Sequence, residues 1–421
     1  MKKLFAIILC ALMICAIVPF SVSAADGMTV AYVMDGGSGD GTAADKAFGN
    51  LQDAYNALDL SKDCTIVICG PYTQLAHFDP WIEYEGNLTI TSVYGGVDYR
   101  TTANAEYLIS GGWRFFCYGD TTFDNINVRL AKSFWFIIGQ CNDVVIGEGF
   151  EAAFDSAATT GLTFDKAISI LGGFQSGAGL ADTNLECDKS ASITVLSGKN
   201  IAICAYNRQL ADGNHSGKAT VVVGGDAEIG CLYFTSVNKP GVKCGDVEMT
   251  VKDNAKVQYI LASPNDNAGL DPIAVNSLTL NWLGGSIEAA SLTDATCNPA
   301  YVALNTASFV NGTKLNYAEA VKTQPSFDLI SALFDVSKVA GQAPTTTEAP
   351  TTTEAPATDA PVTEAPATEA PATDAPAVDT TAAPEVPEDT PATGDASVMV
   401  VFAAAAVICV AAVVVIKKRE N

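Results

Sequence analysis

Side chains able to do chemistry are few in this chain of 421 residues, and one group of them is concentrated. Trp113-Arg114-Phe115-Phe116-Cys117-Tyr118 and Phe134-Trp135-Phe136 are two aromatic runs about 20 residues apart. On a β-strand, successive side chains point to opposite faces. With Phe115, Cys117, Phe134 and Phe136 inward, alternation turns Arg114, Phe116, Tyr118 and Trp135 outward. Aromatic faces beside a guanidinium on a flat sheet would stack on sugar rings, so these four are the candidate ligand-binding residues. The competing arrangement has a loop or a cap lying over them.

Bond-breaking chemistry finds less support. Eliminative cleavage of an acidic polysaccharide needs calcium-holding carboxylates to acidify the α-proton and an Arg or Lys base above it. Hydrolysis needs clustered acids. Residues 25–340 contain four arginines, Arg100, Arg114, Arg129 and Arg208, with no Asp-Asp pair, no Gly-His-Gly and no Arg-x-Pro-x-x-Arg. A carboxylate cluster beside Arg129 or Arg208 would count for an enzyme. Most aspartates stand at turns, as Asp226 and Asp253 do, where side-chain-to-backbone bonds favour them. His77 and His215 are 138 residues apart and read as surface loop residues. The loop Asp35–Thr42 lacks the lysine of a phosphate loop and the spacing of an EF-hand, which leaves a structural turn. No catalytic residue, metal ligand set or cofactor is assigned.

Nine cysteines lie between residues 25 and 340: Cys64, Cys69, Cys117, Cys141, Cys187, Cys204, Cys231, Cys244 and Cys297. An odd number leaves at least one unpaired. Most sit in apolar runs, where cysteine behaves as a small core residue. There is no C-x-x-C, and two histidines do not complete a Cys/His zinc site.

The elements that would position the aromatic runs are short β-type segments separated by Gly, Asn and Asp. Ser192–Val195, Thr220–Val223, Glu248–Val251 and Leu278–Leu280 form a loose repeat, with Thr194, Val222, Thr250 and Thr279 spaced 28, 28 and 29 apart. Each is followed by a turn and a second apolar run. A unit of two or three short strands cannot bury its inner face alone, so the repeat predicts a solenoid with Ile193/Val195 and Val221/Val223 facing in. A β-sandwich gives no reason for a repeat of that length. Earlier runs at Thr65–Cys69, Leu88–Thr91, Trp113–Tyr118, Phe123–Val128, Phe134–Ile138, Val144–Ile146 and Ile168–Leu171 fit looser coils. Ahead of them, Asp45 is a candidate N-cap for a helix over 46–58, whose stripe is Phe48, Leu51, Ala54, Tyr55 and Leu58.

The Asp35-Gly36-Gly37-Ser38-Gly39-Asp40-Gly41-Thr42 loop followed by that helix resembles the opening of bacterial right-handed parallel β-helix proteins of the pectate-lyase-like superfamily. The resemblance covers roughly 30–300. It implies an all-β right-handed parallel β-helix, with the helix capping the first coil, and it carries no chemistry with it. The expected organisation is a loop and capping helix over 25–60, the β-helix over 61–300 and a C-terminal cap over 301–340. Within that cap a helix is predicted over Ser326–Ser337, with Phe327, Ile330, Leu333 and Phe334 inward.

Both ends read as envelope signals. Lys2 and Lys3, the apolar stretch to Phe20 and Ser21–Ala24 form a secretory signal over 1–24, with cleavage between Ala24 and Ala25. Residues 341–390 repeat Thr-Thr-Thr-Glu-Ala-Pro and Ala-Thr-Glu-Ala-Pro, a composition that cannot bury a core and that favours an extended, disordered stalk. Residues 391–421 hold an apolar span, 396–416, and a basic terminus, Lys417-Lys418-Arg419, together fit to cross a bilayer with the end in the cytoplasm.

Thr390-Pro391-Ala392-Thr393-Gly394 ahead of that span resembles the L-P-x-T-G cell-wall sorting signal of Gram-positive surface proteins, with Thr390 in the leucine position. The resemblance implies sortase cleavage between Thr393 and Gly394 and linkage of Thr393 to peptidoglycan. If Thr390 is not accepted, the span stays as a plain transmembrane anchor. Net charge is −24, and residues 25–340 carry 35 acids and 18 bases, a balance of −17. Such a surface excludes nucleic acid, which needs Lys/Arg stripes. The function this points to is a non-catalytic β-helix displayed outside the cell for adhesion or for binding a glycan or host ligand. The alternative is a wall-tethered polysaccharide lyase or glycoside hydrolase.

Overall fold

A computed structural model of the chain describes residues 27–132, 135–155, 167–173, 188–206, 215–234, 243–261, 263–264, 274–288, 301–302 and 308–339. Ala24 and Ala25, Arg208, the stalk, the motif Thr390–Gly394 and the span 396–416 lie outside them. Among the described residues no helix is long and apolar enough to cross a membrane. All of them fall in one compact unit, residues 1–347.

The unit is mostly parallel β-sheet, in long sheets that fit a parallel β-helix. The main sheet has twelve strands. Its path runs through Val30–Val33, Cys64–Ile68, Leu88–Thr91, Thr121–Asp124, Asp143–Ile146, Ala191–Val195, Ala219–Val223, Lys243–Val251, Ala274–Trp282, Thr313–Tyr317 and Asp335–Lys338. A seven-stranded parallel sheet runs from Phe115–Phe116 through Trp135–Ile138, Ile168–Leu171, Ile201–Cys204, Glu228–Tyr233 and Lys256–Leu261 to Ser286–Ile287. A four-stranded parallel sheet holds Pro71–Gln74, Glu106–Ile109, Asn127–Leu130 and Glu151–Phe154. Among the described residues antiparallel pairing is confined to two small ribbons, Val93–Tyr94 with Val97–Asp98 and Ser263–Pro264 with Tyr301–Val302.

Strand alternation explains the core. Ala31, Ile66, Ile90, Phe123, Ile146, Val195, Val223, Val251, Trp282 and Tyr317 stand in one inward row of the main sheet, and all are buried. Full burial of an aliphatic side chain contributes about 1.5–3 kcal/mol, so such rows carry the stability. On the outward face, Thr65, Thr89, Thr122, Val145, Thr194, Val222 and Thr250 form the matching row. The repeat therefore appears as expected for three units. In the fourth, Thr250 pairs with Asn281 rather than Thr279, so the step lengthens from 28 to 31 residues.

The turns after these strands follow the predicted chemistry. Gly225 has a positive φ of 54° and a Cβ there would lie 2.1 Å from the Leu196 carbonyl oxygen, so only glycine fits. The equivalent residue one unit later, Asp253, takes φ 58° and its carboxylate accepts the Gly225 N–H at 3.1 Å.

At the N-terminal end the helix is shorter than expected, Leu51–Ala57, and Asn50 rather than Asp45 caps it by accepting the Asp53 N–H. Asp45 lies in a separate 3-10 turn, Ala44–Lys46. Leu51, Ala54, Tyr55 and Leu58 are buried as the stripe required, and Phe48 packs partly buried against the same core. The preceding loop lies along the free edge of Val30–Val33: the Tyr32 N–H donates to the Gly41 carbonyl, and the Phe48 N–H to that of Tyr32. Those bonds satisfy an edge that would otherwise invite another chain.

At the other end, the predicted helix over Ser326–Ser337 is only Phe327–Ser331, and Asp335–Lys338 instead adds a strand to Thr313–Tyr317. Cys64, Cys69 and Cys117 are buried free thiols. Burial pushes Cys64 up to about 11 and Cys117 up to about 12, which makes them poor nucleophiles at neutral pH.

Candidate functional site

The first aromatic run comes together with a segment that the sequence did not single out. Phe115 and Phe116 begin the seven-stranded sheet, and residues 75–84, which follow Pro71–Gln74, pass alongside them. Phe78 forms a parallel bridge with Phe115, the Phe78 N–H donates to the Arg114 carbonyl, and the Phe116 N–H donates back to Phe78, both at 2.9 Å. The Tyr55 hydroxyl holds the far end of this segment through the Ile82 carbonyl.

Alternation at the predicted ligand-binding residues holds, but its consequence differs. Phe115 and Cys117 join the main core while Phe116 points the other way, as expected. Yet Phe116 is 0% exposed and does not face solvent. It belongs to a second buried layer with Ile138, Leu171, Ala202, Cys204, Cys231, Tyr233 and Leu261, because strands Phe115–Phe116, Ile168–Leu171 and Ile201–Cys204 of this sheet are buried on both faces. Phe116 is therefore removed from the candidate surface. Trp135 lies in strand Trp135–Ile138, paired with Ser169, and its side chain is outside the described set.

Tyr118 and Arg114 keep their place, partly exposed, and gain neighbours. Tyr118 donates its hydroxyl hydrogen to Asp79, and its ring lies 5.9 Å from that of Trp81. Burial first, and Asp79 next, push the Tyr118 phenol well above its ordinary range, so it stays a donor. Trp81 is 57% exposed and sits at φ 55°, a left-handed conformation that costs a large L-residue energy. Exposed Leu75 and Ile82 belong to the same segment. Trp113 lies edge-on to His77 at 5.4 Å, over Gly111, where a Cβ would be 2.6 Å from the indole Nε1.

Arg114 is fixed through its backbone. Its N–H donates to His77 Nδ1 at 3.1 Å, and its carbonyl accepts from Gln74 Nε2 as well as from Phe78. Its Nε is buried without a hydrogen-bond partner, and among the described residues no carboxylate pairs with its guanidinium. Burial lowers the affinity of Arg114 for its proton.

His77, half-buried in the irregular segment 75–84, is thus a neutral acceptor. Burial first, and the charge of Arg114 second, lower its pKa from 6.5, against a smaller opposing effect of Asp79. A depressed folded value means that the unfolded chain takes up the proton first. The docking of residues 75–84 should then be fully stable above about pH 6.5 and weaken as pH falls below it. Thermal unfolding from pH 8 to pH 5 should show this decline in the parent and a flatter profile in His77→Gln. Equal profiles would assign the proton to another group.

His215 is not the surface residue expected. It is 0% exposed, bridged to Cys244 and 5.3 Å from the Tyr206 ring, and neither ring nitrogen has a hydrogen-bond partner among the described residues.

The other described arginines, Arg100 and Arg129, are in ion pairs. Arg100 binds Asp98 at 2.8 Å and donates to the Gly149 carbonyl. Arg129, on the four-stranded sheet, reaches Glu106 at 2.6 Å and Asp155 at 3.4 Å. That places the carboxylate cluster beside Arg129 which would count for an enzyme. Glu106, on the strand to one side, and Asp155, just after the strand to the other, flank the guanidinium. Among the described residues no group of three metal-binding side chains occurs.

Trp81, Trp113 and Asp79 were missed as site residues. The one sequence signal for Trp81 was a pair of large apolar residues, Trp81-Ile82, directly after Asp79-Pro80 in a segment without strand alternation. Compared with known protein families, curated proteins and solved structures, the chain matches none.

Proposed function

We propose that this chain is a non-catalytic, cell-surface display protein that binds glycans through the patch formed by Trp81, Trp113, Arg114 and Tyr118. The observation that carries this reading is Trp81, a large ring held in solvent in a strained conformation beside a second ring. Such strain persists where the surrounding structure enforces it, and exposed indole faces are suited to sugar stacking. The long parallel sheets and the covered N-terminal edge support a right-handed β-helix whose first coil is closed by helix Leu51–Ala57.

The ends of the sequence supply the placement. Export through the signal over 1–24, a stalk over 341–390, and sortase linkage of Thr393 to peptidoglycan or retention through 396–416 together present the β-helix outside the cell. Digesting the wall of expressing cells and sequencing the released C-terminus distinguishes the two anchors. A chain ending at Thr393 supports sortase, and an intact Asn421 supports the membrane.

The lyase or hydrolase reading rests on Arg129 with Glu106 and Asp155. It predicts glycan turnover that Arg129→Gln abolishes. The display reading predicts glycan binding without turnover, and Trp81→Ala should weaken it about tenfold with little change in stability, since stacking contributes about 0.5–1.5 kcal/mol beyond area burial. Undiminished binding by Trp81→Ala would remove the patch from the glycan-binding role.

A further inference from the structure

The glycan reading leaves the ligand's chemistry open, and Arg114 bears on it. Three backbone hydrogen bonds, to His77, Phe78 and Gln74, hold the residue in place. Arg100 and Arg129 each meet a carboxylate of the protein, whereas the guanidinium of Arg114 meets none among the described residues and its Nε is sealed from water without a partner. A partly desolvated cation without a counterion is costly to keep, and the planar fork of arginine is shaped for a carboxylate. The nearby Asp79 is occupied by the Tyr118 hydroxyl instead.

The surroundings limit how much negative charge a ligand can bring. Asp79, Glu83 and Glu85 lie on or just after the segment that carries Trp81, and residues 25–340 have a balance of −17. A polymer charged on every sugar would meet one arginine and a field of like charge. A single anionic sugar among neutral ones would meet the arginine and the exposed indole of Trp81.

Resting on the glycan reading above, we infer that the patch selects glycans ending in one sugar acid, whose carboxylate pairs with Arg114 while neighbouring neutral sugars lie against Trp81.

The test titrates the full chain, purified in detergent, with matched oligosaccharides: a neutral lactose-based series, the same series capped by one sialic or glucuronic acid, the same series capped by one sulfate, and polygalacturonate. Carboxylate-capped members should bind about 10- to 100-fold more tightly than their neutral parents, the range of a charge-assisted hydrogen-bonded pair. Arg114→Gln should erase that preference, bringing capped and neutral members to equal affinity, and Arg114→Lys should keep part of it. Equal binding of capped and neutral members overturns the inference while leaving the glycan reading intact. So does a preference for sulfate or polygalacturonate, or an undiminished preference in Arg114→Gln. Binding of no oligosaccharide overturns the glycan reading itself.

Discussion

Trp282→Ala is expected to destabilise the protein by about 3–5 kcal/mol, the range for removing a fully buried large aromatic side chain. Trp282 ends strand Ala274–Trp282, has 0% exposure and lies in the inward row between Val251 and Tyr317. Its ring sits 6.0 Å from Phe327, so it also joins the main sheet to the helix Phe327–Ser331. In a stack, each unit holds its neighbours, and a cavity there would loosen the units after Trp282 before those ahead of it.

Trp282→Phe should behave differently. The indole Nε1 is buried without a hydrogen-bond partner, a defect worth about 1–3 kcal/mol. Phenylalanine removes that group while giving up part of the packing, so the two effects should offset to within about 1.5 kcal/mol. Urea unfolding of the three proteins decides the matter. An alanine variant within 1 kcal/mol of the parent would mean that this row does not carry the core at the C-terminal end.

The same physics separates what could be read in the sequence from what could not. The main sheet has one face in the core and one in water, so its strands alternate, as Ala191–Val195 and Ala219–Val223 do, and their inward residues were legible. Part of the seven-stranded sheet is buried on both faces. Its strands Ile168–Leu171 and Ile201–Cys204 are apolar at nearly every position, and alternation there gave the direction of Phe116 without revealing that its destination was a second apolar layer. The patch was the hardest part to read. Residues 75–84 have no period, and their position is set by bonds to Arg114, Phe116 and Tyr118, some 35 residues later. Local pattern also favoured a helix over Ser326–Ser337, where pairing with Thr313–Tyr317 draws Asp335–Lys338 into a strand.

Gln74 offers a direct measure of how the fold holds that patch. It is a buried polar side chain in the four-stranded sheet, and its amide group divides its work. Nε2 donates to the carbonyls of Ala76 and Arg114, while Oε1 accepts the Tyr107 hydroxyl at 2.7 Å. Gln74→Leu should cost about 2–4 kcal/mol, because it takes the acceptor from a fully buried phenol and unties both ends of the turn into residues 75–84. Tyr107→Phe should cost about 1–2 kcal/mol by leaving the Gln74 carbonyl oxygen without that donor.

The double variant should cost less than the sum. Once both polar partners are gone, neither is left buried and unmet, and a coupling of about 1–2 kcal/mol is expected from the cycle. Strict additivity would show that the two side chains do not share a bond. The readout at the patch distinguishes positioning from stability. Gln74→Leu should weaken oligosaccharide binding, because the Arg114 carbonyl and the start of the Trp81 segment lose their tether, whereas Tyr107→Phe leaves those two bonds in place and should bind like the parent. If both variants bind equally well, Gln74 stabilises the sheet without setting the geometry of the patch.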